Sequence, residues 1–291
     1  MKTQTGIAFA PDETPELLDV YHPDDGGKRA AVLMLHGGGW RVGSRADLAP
    51  HAEALARRGF TAVVADYRLM PDHPWPAQIR DTRAAIKWIR DNADALGIEP
   101  DRIAALGYSA GAHLAALAAG DPDGAAAADN LGRAPLNAVI PLEPVIGMQG
   151  GQFELGYSPA WLMFGTERVP LWNVRTASPM TYVRHDFPPS CIFHGAEDVQ
   201  IPFVASVMMH KALCAVGAVS DLHVISERDV DHTAHSEIRV IAVGQVAECQ
   251  ELPDWIGGVD VEDARGGVTP VDGALRTAGD FDTAHVVQPV G

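Results

Sequence analysis

Cysteine is scarce in this chain: three in 291 residues, Cys191, Cys214 and Cys249. They are too few and too scattered for a disulfide framework. No C-x-x-C pair offers a zinc or dithiol site, so they read as reduced core thiols. Positive charge is short as well, with 22 Lys and Arg against 38 Asp and Glu and a formal net charge of −16. A surface that acidic repels phosphate backbones and anionic lipid, which argues against nucleic acid and membrane partners. No apolar run approaches the roughly 18 residues that span a bilayer. The N-terminus, MKTQTGIAFAPDET, has no apolar stretch followed by a small-residue cleavage site. No secretory signal is read there, and a cytoplasmic location is expected. The composition that remains, 47% hydrophobic and 21% charged, suits a globular protein with a sizeable core.

Short apolar, β-branched runs alternate with helical patterns, the mark of an α/β protein with a mostly parallel sheet and helices on both faces. Strands are expected at residues 30–35, 61–65, 102–106, 137–142, 190–193 and 221–225. A helix is expected over 77–96, with Ile79, Ile86, Ile89 and Ala93 on one face and Gly97 as its stop. A second fits 204–217. Residues 144–185 break the alternation with turn residues and the aromatics Phe153, Tyr157, Trp161, Phe164, Trp172 and Tyr182. They read as a small lid insert. Residues 1–256 are taken as one catalytic domain. Residues 257–291, rich in Gly, Asp, Thr and Val without a period, are taken as a peripheral or flexible tail.

Gly107-Tyr108-Ser109-Ala110-Gly111 matches G-x-S-x-G, with an apolar strand before it and the small-residue helix AHLAALAAG after it. That is the strand–turn–helix of a nucleophile elbow, whose tight turn lifts the serine hydroxyl above the sheet. His36-Gly37-Gly38-Gly39-Trp40 follows the first predicted strand. Its glycines let backbone amides come close to a carbonyl oxygen that is becoming an oxyanion, with the amide after the nucleophile, Ala110, as the second half of the hole. A phosphate loop is the competing reading, but the string lacks both the Lys-Ser/Thr of a P-loop and G-x-G-x-x-G spacing. His36 reads as structural.

HGGGWRVGS, DYRL and GYSAGAHLAA together resemble α/β-hydrolases of the hormone-sensitive-lipase-like and BD-FAE-type carboxylesterase families. The likeness is specific over residues 30–120 and again over 194–202. It implies an α/β-hydrolase fold with a sheet of about eight strands, Ser109 as nucleophile, and oxyanion amides from Gly38, Gly39 and Ala110. The family pattern H-G-x-x-D places the triad acid at Asp198, just past a strand, with Glu197 as the alternative. The base should follow one more helix and strand. The loop ERDVDHTAHS offers His232 and His235. Spacing of about thirty residues past the acid favours His232, although Asp231 and Thr233 depart from the usual small and aromatic flanks. These histidines, with Asp229 or Asp231, are also a conceivable metal set. No further ligand cluster is apparent, and neither a metal nor a cofactor is expected.

The expected activity is hydrolysis of short-chain acyl or aryl carboxylic esters through an acyl-enzyme, with a small-molecule ester as partner and a homodimer left open. Trp40, Tyr108 and Trp161 stand as candidate substrate contacts. Two alternatives remain: an arylformamidase or other amide hydrolase on the same triad, and a catalytically inactive ligand-binding protein on a hydrolase scaffold.

Overall fold

The structure is a computed structural model that describes residues 1–9, 16–24, 27–126, 131–148, 159–166, 168–196, 198–225 and the backbone of 284–287. Nine strands form one sheet in the order β1-β2-β4-β3-β5-β6-β7-β8-β9. The middle of it, β3 (Arg29–Leu35), β4 (Thr61–Ala65), β5 (Ile98–Tyr108), β6 (Ala138–Leu142), β7 (Ser190–Gly195) and β8 (Ser220–Ile225), is wholly parallel. These are the six strands read from the sequence, with β5 beginning four residues earlier. The sheet gains β1 (Lys2–Ala8) and β2 (Leu17–His22), which pair antiparallel with each other and with β4. It also gains β9 (Ala284–Val287), parallel to β8, from within the stretch taken as a tail; the rest of 257–291 lies outside the described residues.

Burial explains why the parallel strands were legible. Every residue of β4 is buried, and β3 is buried from Ala30 onward. Along β3, Ala31, Leu33 and Leu35 enter one core cluster with residues of α2 (Ala77–Asp91), α3 (Ala110–Gly120) and α6 (Val204–Ala215). Val32 and Met34 enter the other, with α1 (Ala49–Arg57). Helices therefore cover both faces. Burying each such Val, Leu or Met side chain is worth about 1.5–3 kcal/mol. Two elements end earlier than their periodicity suggests. α2 stops at Asp91 because Asn92 turns its side-chain amide back onto the Trp88 carbonyl, 2.8 Å away, and Gly97 then takes φ 61°. α6 stops at Ala215, two residues before Gly217.

α3 is buried along all eleven residues. Its Ala and Gly content lets it run tight against β3 and β5: a Cβ on Gly111 would lie 2.2 Å from the Leu35 carbonyl oxygen, so only glycine permits the approach. Within the insert, the described residues form α4 (Pro159–Phe164), α5 (Leu171–Thr176) and a 3₁₀ turn at Pro179–Tyr182. Trp172 is 70% exposed there. One expectation about cysteine is corrected: Cys191, buried on β7, is disulfide-bonded, its partner lying outside the described residues, while Cys214 is free. Three scattered cysteines carry no spacing signature of a pairing. Among the described residues no helix is long and apolar enough to cross a membrane.

Candidate active site

Ser109 stands where β5 meets α3, at φ 48° and ψ −109°. A left-handed serine is uncommon and costs steric energy, so the turn is held by its surroundings. The Ser109 amide donates to the Leu142 carbonyl of β6 at 2.9 Å, and the His113 amide donates to the Ser109 carbonyl at 3.0 Å. Gly107 and Gly111 flank the serine because the turn closes on itself: a Cβ on Gly107 would meet the Gly111 carbonyl oxygen at 2.2 Å. Tyr108 and Ala110 are buried on either side, while Ser109 keeps part of its surface open. α3 begins at Ala110, so the positive end of its dipole lies at the hydroxyl.

The glycine loop lies against this elbow. A Cβ on Gly37 would be 3.3 Å from the Tyr108 carbonyl oxygen and 3.6 Å from Ser109 Cβ. Gly38 and Gly39 take φ 112° and 58°. The Gly38 carbonyl accepts from the amides of Arg41 and Val42 at 3.0 and 3.1 Å, which closes the turn and leaves no room for a Gly38 side chain. The next segment of chain braces the loop from behind. The Tyr67 hydroxyl donates to the His36 carbonyl at 2.8 Å, and its ring stacks on the His36 imidazole at 4.2 Å. The Met70 amide donates to the Trp40 carbonyl at 2.8 Å. Farther along, Arg45 pairs with Asp66 and, at 3.0 Å, with Asp19. His36 is structural as expected, its Nδ1 lying 2.7 Å from the Gly37 carbonyl.

Asp198 follows β7 and is 7% exposed. Its Oδ1 accepts from the amides of Gln200 and Ile201 at 2.8 and 2.9 Å, a local turn that fixes the carboxylate. His194, four residues earlier, is no candidate base. Its Nε2 lies 2.7 Å from the Ile201 carbonyl and its Nδ1 2.7 Å from Ser206 Oγ, so both ring nitrogens are committed to holding the loop. His232, His235 and the alternative acid Glu197 lie outside the described residues, as do Asp229 and Asp231.

Two substrate-contact expectations are corrected. Trp40 and Tyr108 are each 1% exposed and offer a ligand no surface. Trp40 takes φ 62°, and its ring packs edge-on against His113 at 5.1 Å, inside the core. Adjacency to a motif in sequence did not reveal which way the side chain turns. Trp161, on α4, is half-buried beneath the Arg41 guanidinium, 5.2 Å from its ring centre. Arg41 Nε also donates to the Leu162 carbonyl at 2.9 Å, tying the glycine loop to the insert. His113 is wholly buried; burial pushes its pKa down to about 4, and it is neutral near pH 7 with Nε2 on the Ala177 carbonyl at 2.7 Å. Sequence reasoning passed over Glu143, the residue after β6, which is 1% exposed at φ 51°.

Among the described residues one group of metal-type ligands converges: Cys191, Asp221 and His223, within 4.8 Å of one another. The Cys191 sulfur is in a disulfide and supplies no thiolate, so the set does not fit a metal.

A serine at a strand–turn–helix elbow, with a glycine loop against it and a fixed aspartate two strands away, defines an α/β-hydrolase. The BD-FAE family model matches residues 18–213, and the chain belongs to that family. It is 30% identical over 263 residues to Esterase LipQ of Mycobacterium tuberculosis (strain ATCC 25618 / H37Rv), which covers 86% of this chain but only 61% of LipQ. Among solved structures it resembles Thermogutta terrifontis esterase 2 phosphonylated by sarin, with a TM-score of 0.72 and 27% identity, covering 86% of this chain and 96% of that one. The butyrate-bound form of the same esterase gives a TM-score of 0.69 and 28% identity, covering 86% and 95%.

Proposed function

We propose that this chain is a serine carboxylic-ester hydrolase acting on short acyl or aryl esters. The observation that carries the reading is the close approach of two turns: Ser109 at φ 48° on its elbow, and Gly37 of the glycine loop so near that a Cβ on it would lie 3.6 Å from Ser109 Cβ. Such an arrangement serves to hold a nucleophile beside backbone amides. In the proposed mechanism Ser109 Oγ attacks the ester carbonyl while a histidine of the loop after β8 takes its proton. His232 is the proposed base, with His235 the alternative. Asp198 orients that imidazole and stabilises the imidazolium. The amides of Gly38, Gly39 and Ala110 stabilise the tetrahedral oxyanion, each such donor being worth about 3 kcal/mol in the transition state. The imidazolium then protonates the leaving alcohol, and water repeats the sequence on the acyl-Ser109 ester.

The related esterases named above support the substrate class. The Thermogutta enzyme is seen phosphonylated by sarin and with butyrate bound, which suits a serine nucleophile and a four-carbon acyl site. Trp161 is the proposed substrate contact. The test is a fluorophosphonate probe together with p-nitrophenyl esters from acetate to palmitate. Labelling and turnover should disappear in Ser109→Ala, and rates should peak at acyl chains of about two to six carbons. Labelling that survives Ser109→Ala, or turnover that peaks at palmitate, refutes the nucleophile or the substrate class respectively.

A further inference from the structure

Three non-glycine residues of the described chain hold left-handed backbone: Trp40 at φ 62°, Ser109 at φ 48° and Glu143 at φ 51°. Such conformations persist where the surroundings over-determine them, and they gather at functional sites. Trp40 belongs to the glycine loop and Ser109 to the elbow. Glu143 belongs to neither. It follows β6, and a glycine there would adopt the same φ without steric cost. It is also a carboxylic acid at 1% exposure, in a place where an apolar or small side chain would be cheaper to bury.

The sheet fixes where Glu143 lies. Leu142 pairs with Tyr108 on one side and with Phe193 on the other. The Ser109 amide donates to the Leu142 carbonyl, and the Glu143 amide donates to the Phe193 carbonyl, both at 2.9 Å. Glu143 is thus level with Ser109 at the end of β5 and with His194 at the end of β7, from which the chain runs four residues to Asp198. Neighbouring strands are about 4.8 Å apart, so β5 and β7 are separated by about 10 Å. An imidazole that touches a hydroxyl from β5 and a carboxylate from β7 has to lie over the strand between them. That strand is β6, and the first residue beyond it is Glu143. The argument holds whichever histidine supplies the ring.

The geometry points to Glu143 as a second carboxylate serving the catalytic imidazole, a positioning residue that shares with Asp198 the stabilisation of the imidazolium. This rests on the ester-hydrolase reading above. Asp198 has Oδ1 held by the amides of Gln200 and Ile201, and its Oδ2 lies 3.4 Å from His194 Nε2, so its carboxylate already answers to other groups. Glu143 adds a second carboxyl group in a water-poor site where positive charge develops on the imidazole.

The experiment is a double-mutant cycle on p-nitrophenyl butyrate with Asp198→Asn, Glu143→Gln and the pair, and with Ser109→Ala as the floor. In a triad with a single acid, Asp→Asn costs about 10⁴ in kcat. Here Asp198→Asn should cost about 10², Glu143→Gln about tenfold with KM within about twofold, and the pair about 10⁴, beyond the product of the singles. Glu143→Gly, which relieves the backbone at φ 51°, should melt no lower than wild type and show the same loss of kcat as Glu143→Gln. A Glu143→Gly enzyme with wild-type kcat, or a double variant equal to the product of the singles, overturns the proposal. A wild type that neither turns over the ester nor takes the fluorophosphonate fails the hydrolase reading instead, and that outcome is distinct.

Discussion

Replacing Tyr67 by phenylalanine would remove one hydroxyl and leave the ring, which makes it a clean probe of the brace behind the glycine loop. The hydroxyl donates to the His36 carbonyl at 2.8 Å, Tyr67 is 2% exposed, and burial pushes its pKa far above the usual tyrosine value. It is therefore a protonated donor at every working pH. The stack on His36 at 4.2 Å survives in the variant, so the substitution isolates the hydrogen bond. Removing a donor from a buried carbonyl costs about 1–3 kcal/mol. For a chain of this size each kcal/mol lowers Tm by about 2–4 °C. The His36 carbonyl is also where α3 packs: a Cβ on Gly111 would sit 2.5 Å from it. Loosening it lets the Gly38 and Gly39 amides drift relative to Ser109. If half of one oxyanion donor's roughly 3 kcal/mol is lost, kcat falls about tenfold. KM should change by less than about twofold, because the interaction strengthens only in the transition state. The assay is steady-state turnover of p-nitrophenyl butyrate, with inhibition by a trifluoromethyl ketone, which forms the oxyanion on the enzyme. Its Ki should weaken in step with kcat. A variant that melts lower yet keeps wild-type kcat and Ki would show that the brace stabilises the fold without governing the amides, and the reasoning would be wrong.

Gly111→Ala places a methyl group 2.2 Å from the Leu35 carbonyl oxygen, so α3 has to retreat from β3; a loss of about 2–3 kcal/mol by urea denaturation and loss of turnover are expected, and wild-type stability would refute the tight approach. Glu16 has its pKa raised from 4.5 to about 7, first by burial and then by the Asp81 and Asp66 carboxylates. A raised folded pKa means that its contribution to stability is full below pH 4.5 and is lost as pH rises towards 7. Glu16→Gln should therefore raise Tm at pH 8 and make no difference at pH 4, and a gain of equal size at both refutes the assignment.

The parallel core was readable because β3 to β8 are short apolar runs buried on both faces, and a run of that kind has few other places to go. β1 escaped notice because it is an exposed edge: Thr3, Gln4 and Thr5 carry no apolar alternation, and the strand is held by backbone pairing to β2. The elbow and the glycine loop were readable because close backbone approach demands glycine at particular positions, and that demand is written in the residue types. Side-chain direction is not written there. Trp40 follows the glycine loop directly, yet its φ of 62° carries the indole into the core, away from any ligand. Glu143 was missed for a related reason. Leu-Glu-Pro after an apolar strand reads as the start of a loop, and only the register of β6 against β5 and β7 shows that this loop begins between the nucleophile and the acid.

The same register explains how the fold confines its strained backbone. The left-handed residues Trp40, Ser109 and Glu143 each follow the carboxyl end of a parallel strand, β3, β5 or β6, and these three are neighbours in the sheet. A parallel sheet lines up its strand ends, so turns that are individually unfavourable fall side by side and can brace one another. Ser109 leans on Leu142 through its amide, Gly37 approaches Ser109 closely enough that a Cβ on it would touch, and Glu143 is tied to Phe193. Burial keeps His113 neutral and the Tyr67 hydroxyl protonated. Neither of these two side chains changes charge between about pH 5 and 8, so a rate that rises with pH through the ordinary histidine range, about 6 to 7, does not report them.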